Sequence, residues 1–291
     1  MKYQLKIAFL FLLVVGLITG MSTPVQATSA NIIVYGEQLT EDQRAEVRDI
    51  LEITDSDAVE EYDVTGQDYA DFINGNPDSN MYSSAKITLE ESGAGLTVNI
   101  VTPDNITEVA NEMYANALLT AGVENATVDV ASPVAVTGHS ALTGIYKAYD
   151  VEGEELDKER MELANEELNV ATDLAEEDGV SQEKVSELLS EIKQMIADQD
   201  PATREDVQQI VEEQLENLEI SLDEADRQRL VDLFDQMQDL NINFDQVRNQ
   251  LEDIASTVRD QIDQLNLDEG FWDQVRDFFQ SIGNFFRGLF N

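Results

Sequence analysis

Gly138-His139-Ser140-Ala141-Leu142-Thr143-Gly144 is the stretch whose residue types come nearest to nucleophilic chemistry. A serine between a strand and a helix becomes a nucleophile when its hydroxyl is exposed and a base stands beside it. The serine elbow of the α/β hydrolases needs glycine two residues after the serine, and this chain has Leu142 there. His139 is the sole histidine, and as the immediate neighbour it is badly placed to deprotonate Ser140. A Ser–Lys pair through Lys86 or Lys147 is the remaining route, and no spacing singles it out. The structural reading is a helix start capped by Thr137 or Ser140, with Gly138 and Gly144 allowing a turn or close packing.

Paired carboxylates could act as acid and base on a glycan if their environments drew their pKa values apart. With 60 acidic residues, chance pairs are everywhere, and Glu108 with Glu112 on one helix face is what a solvated acidic surface gives. Calcium fits the abundance of oxygen ligands, but no specific motif supports it: Asp55-Ser56-Asp57 runs into Ala58-Val59 without the loop glycine of an EF-hand. No cofactor motif is present, because Gly93-Ala94-Gly95 belongs to a turn between β-rich runs and opens no helix. With no cysteine there is no disulfide or thiolate chemistry, and one histidine excludes histidine-rich zinc or haem sites.

The C-terminal end carries the plainest interaction signal. Phe271, Trp272, Val275, Phe278, Phe279, Ile282, Phe285, Phe286, Leu289 and Phe290 recur at i+3, i+4 and i+7, with six of the eleven phenylalanines and the only tryptophan. Arg276 and Arg287 fall among them. One reading is an amphipathic helix that docks on a membrane surface or a partner protein. The other is a helix that closes the core of the C-terminal bundle, with Gly283 and Gly288 weakening it as a free helix.

The elements that must position these residues fall into two parts. In the first, 32–35 reads as a strand and Thr40-Glu41-Asp42-Gln43 as a capping box for a helix through about Leu51. A strand and a helix fit between Glu61 and Ile73, followed by the Asn74-Gly75-Asn76-Pro77 loop. The runs 85–90 and 96–101, joined through Ser92-Gly93-Ala94-Gly95, predict a β-hairpin. A helix beginning at Thr102-Pro103 buries Ile106, Val109, Ala110, Met113, Ala117 and Leu118 and stops at Gly122. A strand at 127–131 and a helix at 139–149 complete this part.

Beyond Gly153 the period is helical. Leu156 to Leu174, then Val185 to Ile196 with a stop at Asp200-Pro201, then Val207 to Leu218 give successive apolar stripes. Three echoes follow, Ile220-Ser221-Leu222-Asp223, Ile242-Asn243-Phe244-Asp245 and Leu265-Asn266-Leu267-Asp268, spaced 22 and 23 residues apart. Each sets Ser or Asn three residues before Glu224, Gln246 or Glu269, the arrangement of a capped helix start. Phe244, Val247, Leu251, Ile254, Val258, Ile262 and Leu265 step by three or four as a bundle seam. The fold class is therefore α+β: an N-terminal mixed α/β sandwich with a β-hairpin at 28–153, then an acidic helical, bundle-like region at 154–291.

Lys2 and Lys6, an apolar run over 7–18 and the small-residue site Val25-Gln26-Ala27 make residues 1–27 a secretory signal. Its removal takes two lysines and no acid, leaving 60 acids against 15 bases, a formal charge of −45. Such a fold repels itself at low ionic strength, and salt relieves it, so the composition reads as that of a protein working in brine. Nucleic acid is excluded as a partner because no basic patch exists to meet phosphates.

Residues 104–149 also carry a resemblance. Met113-Tyr114-Ala115-Asn116-Ala117-Leu118, Thr120-Ala121-Gly122-Val123 and Thr137-Gly138 with Ala141-Leu142-Thr143-Gly144-Ile145-Tyr146-Lys147-Ala148 resemble the DUF1002 family of predicted secreted proteins of Gram-positive bacteria. The likeness extends over roughly residues 31–290 and implies export and a two-part layout, with no catalytic residue to carry over. Where the family has a Gly-Thr-Arg or similar basic start, this chain reads Asp78-Ser79-Asn80-Met81-Tyr82-Ser83-Ser84-Ala85-Lys86, which removes the basis for anion binding by that loop. The expectation is a secreted or envelope-associated interaction or structural protein. The alternatives are an extracellular hydrolase of cell-wall polymer or peptide, and a calcium-responsive surface protein.

Overall fold

A computed structural model describes residues 31–54, 58–176, 180–240 and 242–265. The secretory signal read at 1–27, the Asp55-Ser56-Asp57 run, the third echo beyond Leu265 and the aromatic stripe of residues 271–290 lie outside the described residues.

Five strands form one mixed sheet in the order β2-β1-β3-β5-β4: β1 Asn31–Gly36, β2 Glu60–Val64, β3 Ser84–Leu89, β4 Leu96–Ile100 and β5 Ala126–Ala131. β1 pairs parallel with β2 and β4 parallel with β5, while β3 runs antiparallel to both its neighbours, β1 and β5. The α+β class stands, but the hairpin expected between β3 and β4 does not form, because β5 is inserted between them. The loop between β3 and β4 is long enough to bridge one strand's width, and the start of β5 is clamped inside it. Asn125 Oδ1 accepts from the Gly93 and Gly95 N–H groups at 2.7 and 3.2 Å, and Ala126 N–H donates to Gly95 O. The apolar content decides the order: Val128 and Val130 of β5 are fully buried, while β4 exposes Thr97 and Asn99 and takes the edge.

Helix α1 (Glu41–Ile50), entered through the expected Thr40–Gln43 capping box, covers Ile33, Tyr35 and Ala131 on one face of the sheet. On the other face lie α2 (Gly66–Ile73), α3 (Asn111–Ala121) and α4 (Ser140–Glu152). Helix α3 starts nine residues later than its apolar spacing suggests. The backbone of the preceding segment is engaged elsewhere: Val136 N–H donates to Asn105 O, Thr107 N–H to Val136 O, and Ile106 forms a β-bridge with Val136. Glu108 consequently stands outside the helix and does not share a helical face with Glu112.

The remaining helices, α5 (Lys158–Ala175), α6 (Gln182–Gln199), α7 (Arg204–Asn217), α8 (Glu224–Asp239) and α9 (Arg248–Leu265), are laid over α3 and α2. α3 packs against α5 and α6, α9 lies along α6, and α8 lies on α5 and α7. One apolar core runs without a break from Ile32 in the sheet to Leu251 in α9. Asp157, Ser181 and Thr203 cap α5, α6 and α7. At the first echo the cap is Asp223, not Ser221, since Asp223 accepts from Asp226 N–H. At the second, Asn243 accepts from Asp245 N–H and opens a short turn, Phe244–Gln246, before α9.

Candidate ligand cleft and buried ion pair

Four strands point their carboxyl ends toward one edge of the sheet, and a cleft of about 370 Å³ opens there beside the start of α4. Its walls are Tyr69, Ser79, Asn80, Met81, Tyr82, Val136, Thr137, Gly138, His139 and Ser140. The 79–82 wall lies hard against β1. A Cβ on Gly36 would stand 2.2 Å from Met81 O, so only glycine lets the loop pass there. Gln38 fixes the same loop, donating its N–H to Met81 O at 3.2 Å and accepting from Met81 N–H through its side chain.

The opposite wall is set by Gly138, whose φ of 112° is a conformation L side chains rarely adopt. A Cβ there would meet Tyr114 Oη at 2.7 Å and Ile106 Cγ2 at 2.9 Å. The buried Tyr114 hydroxyl donates to Gly138 O at 2.6 Å, tying the entrance of α4 to α3, and burial pushes its pKa well up.

His139 occupies the N-cap position of α4, and no side chain caps the helix, contrary to the role expected of Thr137 or Ser140. Its Nδ1 lies 3.2 Å from Thr137 Oγ1 and its Nε2 lies 3.4 Å from Thr172 Oγ1 on α5. Both imidazole nitrogens are thus engaged away from Ser140, and no described residue supplies Ser140 with a base. The lysines considered for that part are committed elsewhere: Lys86 pairs with Asp129 at 3.0 Å and Lys147 with Asp68 at 2.9 Å.

Burial lowers the His139 pKa below its ordinary 6.5, opposed by the nearby Asp173 carboxylate, which Arg229 holds at 2.7 Å. A histidine whose folded pKa is depressed contributes stability that is complete above the unfolded pKa and is lost as pH falls through the folded one. Stability is therefore expected to decline as pH drops below 6.5, and His139→Gln flattens that part of the profile. The single imidazole makes the reading direct: its proton resonances should titrate below 6.5, and a midpoint at or above that value would contradict the burial argument.

A second constellation lies in the interior, and the sequence reading missed it. Lys193 on α6 and Glu167 on α5 are both fully buried and meet at 2.5 Å. Lys193 Nζ also donates to Asn116 O at 2.8 Å on α3, and Thr120 Oγ1 donates to the other Glu167 oxygen at 2.5 Å. Asn116 Nδ2 reaches Ser186 O and Ser190 Oγ at 3.2 and 3.1 Å, and the Phe244 ring covers the ammonium at 5.8 Å. Burial lowers the Lys193 pKa, with Glu167 opposing the shift. Each charge has a partner and most remaining lone pairs and protons are satisfied, the condition for an ion pair to persist in a low-dielectric interior. The network pins three helices in one register and opens to no cleft.

Two other grooves are acidic. One is lined by Glu205, Glu212, Glu213 and Glu216, and another by Glu159, Glu162, Glu166 and Asp239. Among the described residues no group of three or more His, Asp or Glu is arranged to hold a metal ion, and no helix is long and apolar enough to cross a membrane. Burial and the charges of Glu176 and Asp173 raise the Glu108 pKa, on a loop beside α5.

No solved structure matches this chain. It is 32% identical over 268 residues to the uncharacterized protein YpuA of Bacillus subtilis (strain 168), with 89% of each chain covered. The model of the protein family of unknown function DUF1002 matches residues 35–254. That span takes in the sheet except for residues 31–34 of β1, the Tyr114–Gly138 anchor, the cleft and the buried Lys193–Glu167 pair, and the chain belongs to the DUF1002 family.

Proposed function

We propose that this chain is an exported, salt-adapted binding protein of the cell envelope, and that the cleft beside His139 takes an uncharged, hydroxyl-rich ligand such as an envelope glycan. The observation that carries this reading is the cleft's lining. With 60 acids in 291 residues, about two would fall among any ten, yet the ten residues around this cleft include none. Two tyrosine rings offer apolar faces with polar tips, and serine, asparagine and threonine side chains supply donors and acceptors. His139, neutral through burial, adds no charge at neutral pH. Its engagement by Thr137 and Thr172 favours binding over hydrolysis at Ser140.

The test is cosedimentation of the mature protein with isolated envelope polymer in high salt. Asn80 and Thr137 are exposed, so Asn80→Asp and Thr137→Asp put a carboxylate into the cleft without disturbing the core. Each is expected to weaken binding about tenfold, roughly 1.4 kcal/mol, the scale of one unpaired polar group in a contact. Wild-type binding by both variants would remove the cleft from the account. Soluble fragments released by wild type but not by Ser140→Ala would replace binding with hydrolysis.

A further inference from the structure

A groove of about 470 Å³ runs between the outer edge of β4 and α9 and shares no lining residue with the cleft beside His139. Its apolar floor comes from Val98, Ala115, Leu119 and Ile254, and Glu112 and Asp253 stand on its rim. The strand edge is already blunted: Leu96 N–H donates to Gln250 Oε1 and Ile100 N–H to Asn111 Oδ1, each at 2.7 Å. An added β-strand would find too few free backbone groups between those two amides. The groove instead suits an occupant that brings apolar side chains.

We propose that this occupant is the chain's own C-terminal segment, residues 271–290. The observations are those of position, length and charge. The groove follows α9 from Gln250 to Gln261, and the segment begins six residues beyond Leu265. The two earlier echoes show what such a sequence does in this fold. After Ile220-Ser221-Leu222-Asp223 the chain comes back as α8 against α7, and after Ile242-Asn243-Phe244-Asp245 it comes back as α9 against α6. Leu265-Asn266-Leu267-Asp268 repeats the pattern where α9 ends.

The stretch of α9 that lines the groove is about 17 Å long at 1.5 Å per residue, and twenty residues at helical spacing more than cover it. The segment's apolar stripe meets the apolar floor, and Arg276 and Arg287 are cations opposite the acidic rim, in a chain where cations are scarce. This seat is independent of the ligand cleft.

Trp272 is the only tryptophan and no cysteine is present, so a background-free test exists. The full mature chain is expected to show blue-shifted Trp272 emission, unchanged on dilution. A nitroxide on Glu112→Cys, at the groove's rim, should remove most of that emission or, by displacing the segment, shift it to the wavelength of water-exposed indole. A nitroxide on the exposed Gln208→Cys of α7 should do neither. Water-exposed emission in the unlabelled protein, or equal effects from both labels, overturns the proposal. So does a blue shift that appears only with anionic lipid vesicles, or one that grows with protein concentration alongside a dimer in sedimentation. Those two outcomes assign the segment to a membrane surface and to a second copy of the chain, respectively.

Discussion

Lys193→Met is expected to cost about 3–5 kcal/mol of stability, a fall in Tm of about 10 °C for a fold of this size. The loss comes from Glu167 more than from Lys193. Once the ammonium is gone, a carboxylate with 1% side-chain exposure keeps only Thr120 as a described hydrogen-bond partner and must take up a proton or admit water. The double change Lys193→Met/Glu167→Leu should recover most of the loss, because a buried pair replaced by apolar side chains of similar volume is often neutral or stabilising. The contrast is Arg204, which spans Asp232 and Asp235 with 38% of its side chain exposed. Arg204→Ala should cost far less than Lys193→Met, because water already solvates that pair. Denaturation of wild type, Lys193→Met, Glu167→Leu and the double change in high salt gives the coupling energy. A single variant that costs under about 1 kcal/mol would mean that water already reaches the pair.

The position of that pair was written in the sequence in a form that a search for catalytic motifs passes over. Glu167 follows Leu163 and Ala164 and precedes Ala171, all buried, so it occupies an apolar-face position of α5. Lys193 stands between Leu189 and Ile196 in the same way on α6. A charge that interrupts an apolar stripe on two neighbouring helices signals a buried pair. In this chain the surrounding acids hide it, because one more glutamate attracts no notice among 60 acidic residues. Asn116 gave less warning, since an asparagine within Met113–Leu118 reads as a tolerated polar residue until its Nδ2 is placed on Ser190.

Elements governed by local chemistry were legible. The Thr40–Gln43 box, the Gly122 stop and the strand at 126–131 follow from caps, φ angles and period, each decided within a few residues. What the sequence did not disclose depended on contacts far along the chain. The hairpin pattern at 85–101 has the right turn residues, but β5 intrudes because Val128 and Val130 need the centre of the sheet. The helical spacing from Thr102 is sound as far as it goes, but a bridge to Val136, thirty residues on, takes the backbone donors. The cleft was half visible. The His139–Ser140 segment was singled out, whereas Tyr69 arrives from α2 and Tyr82 from the loop before β3, and no local pattern joins them to it.

Raising NaCl from about 0.1 M to about 2 M is expected to stabilise the protein by on the order of 4 kcal/mol, through a Debye length that shrinks from about 10 Å to below 3 Å. Two unit charges 4 Å apart in water exchange about 1 kcal/mol. If each of the 43 surplus acids gained only about a tenth of that from screening, the sum would reach this size. The helices show where the relief acts. First turns carry acids, as in Glu41 and Asp42 of α1, Glu205 and Asp206 of α7, or Glu224 and Asp226 of α8, which suits the positive end of the helix. In the last turns only α1 has a base, Arg48; α2 through α9 have none. Arg160 of α5 meets the Leu119 and Thr120 carbonyls at the end of α3, and at ends without such a partner dissolved cations do what lysine and arginine do elsewhere. Acid-to-lysine changes in those last turns, such as Glu216→Lys at the end of α7, should stabilise at low salt and lose that advantage in brine. A Tm that does not move with NaCl would show that the acidic surface is neutralised within the fold, and would remove the reason for reading this composition as an adaptation to salt.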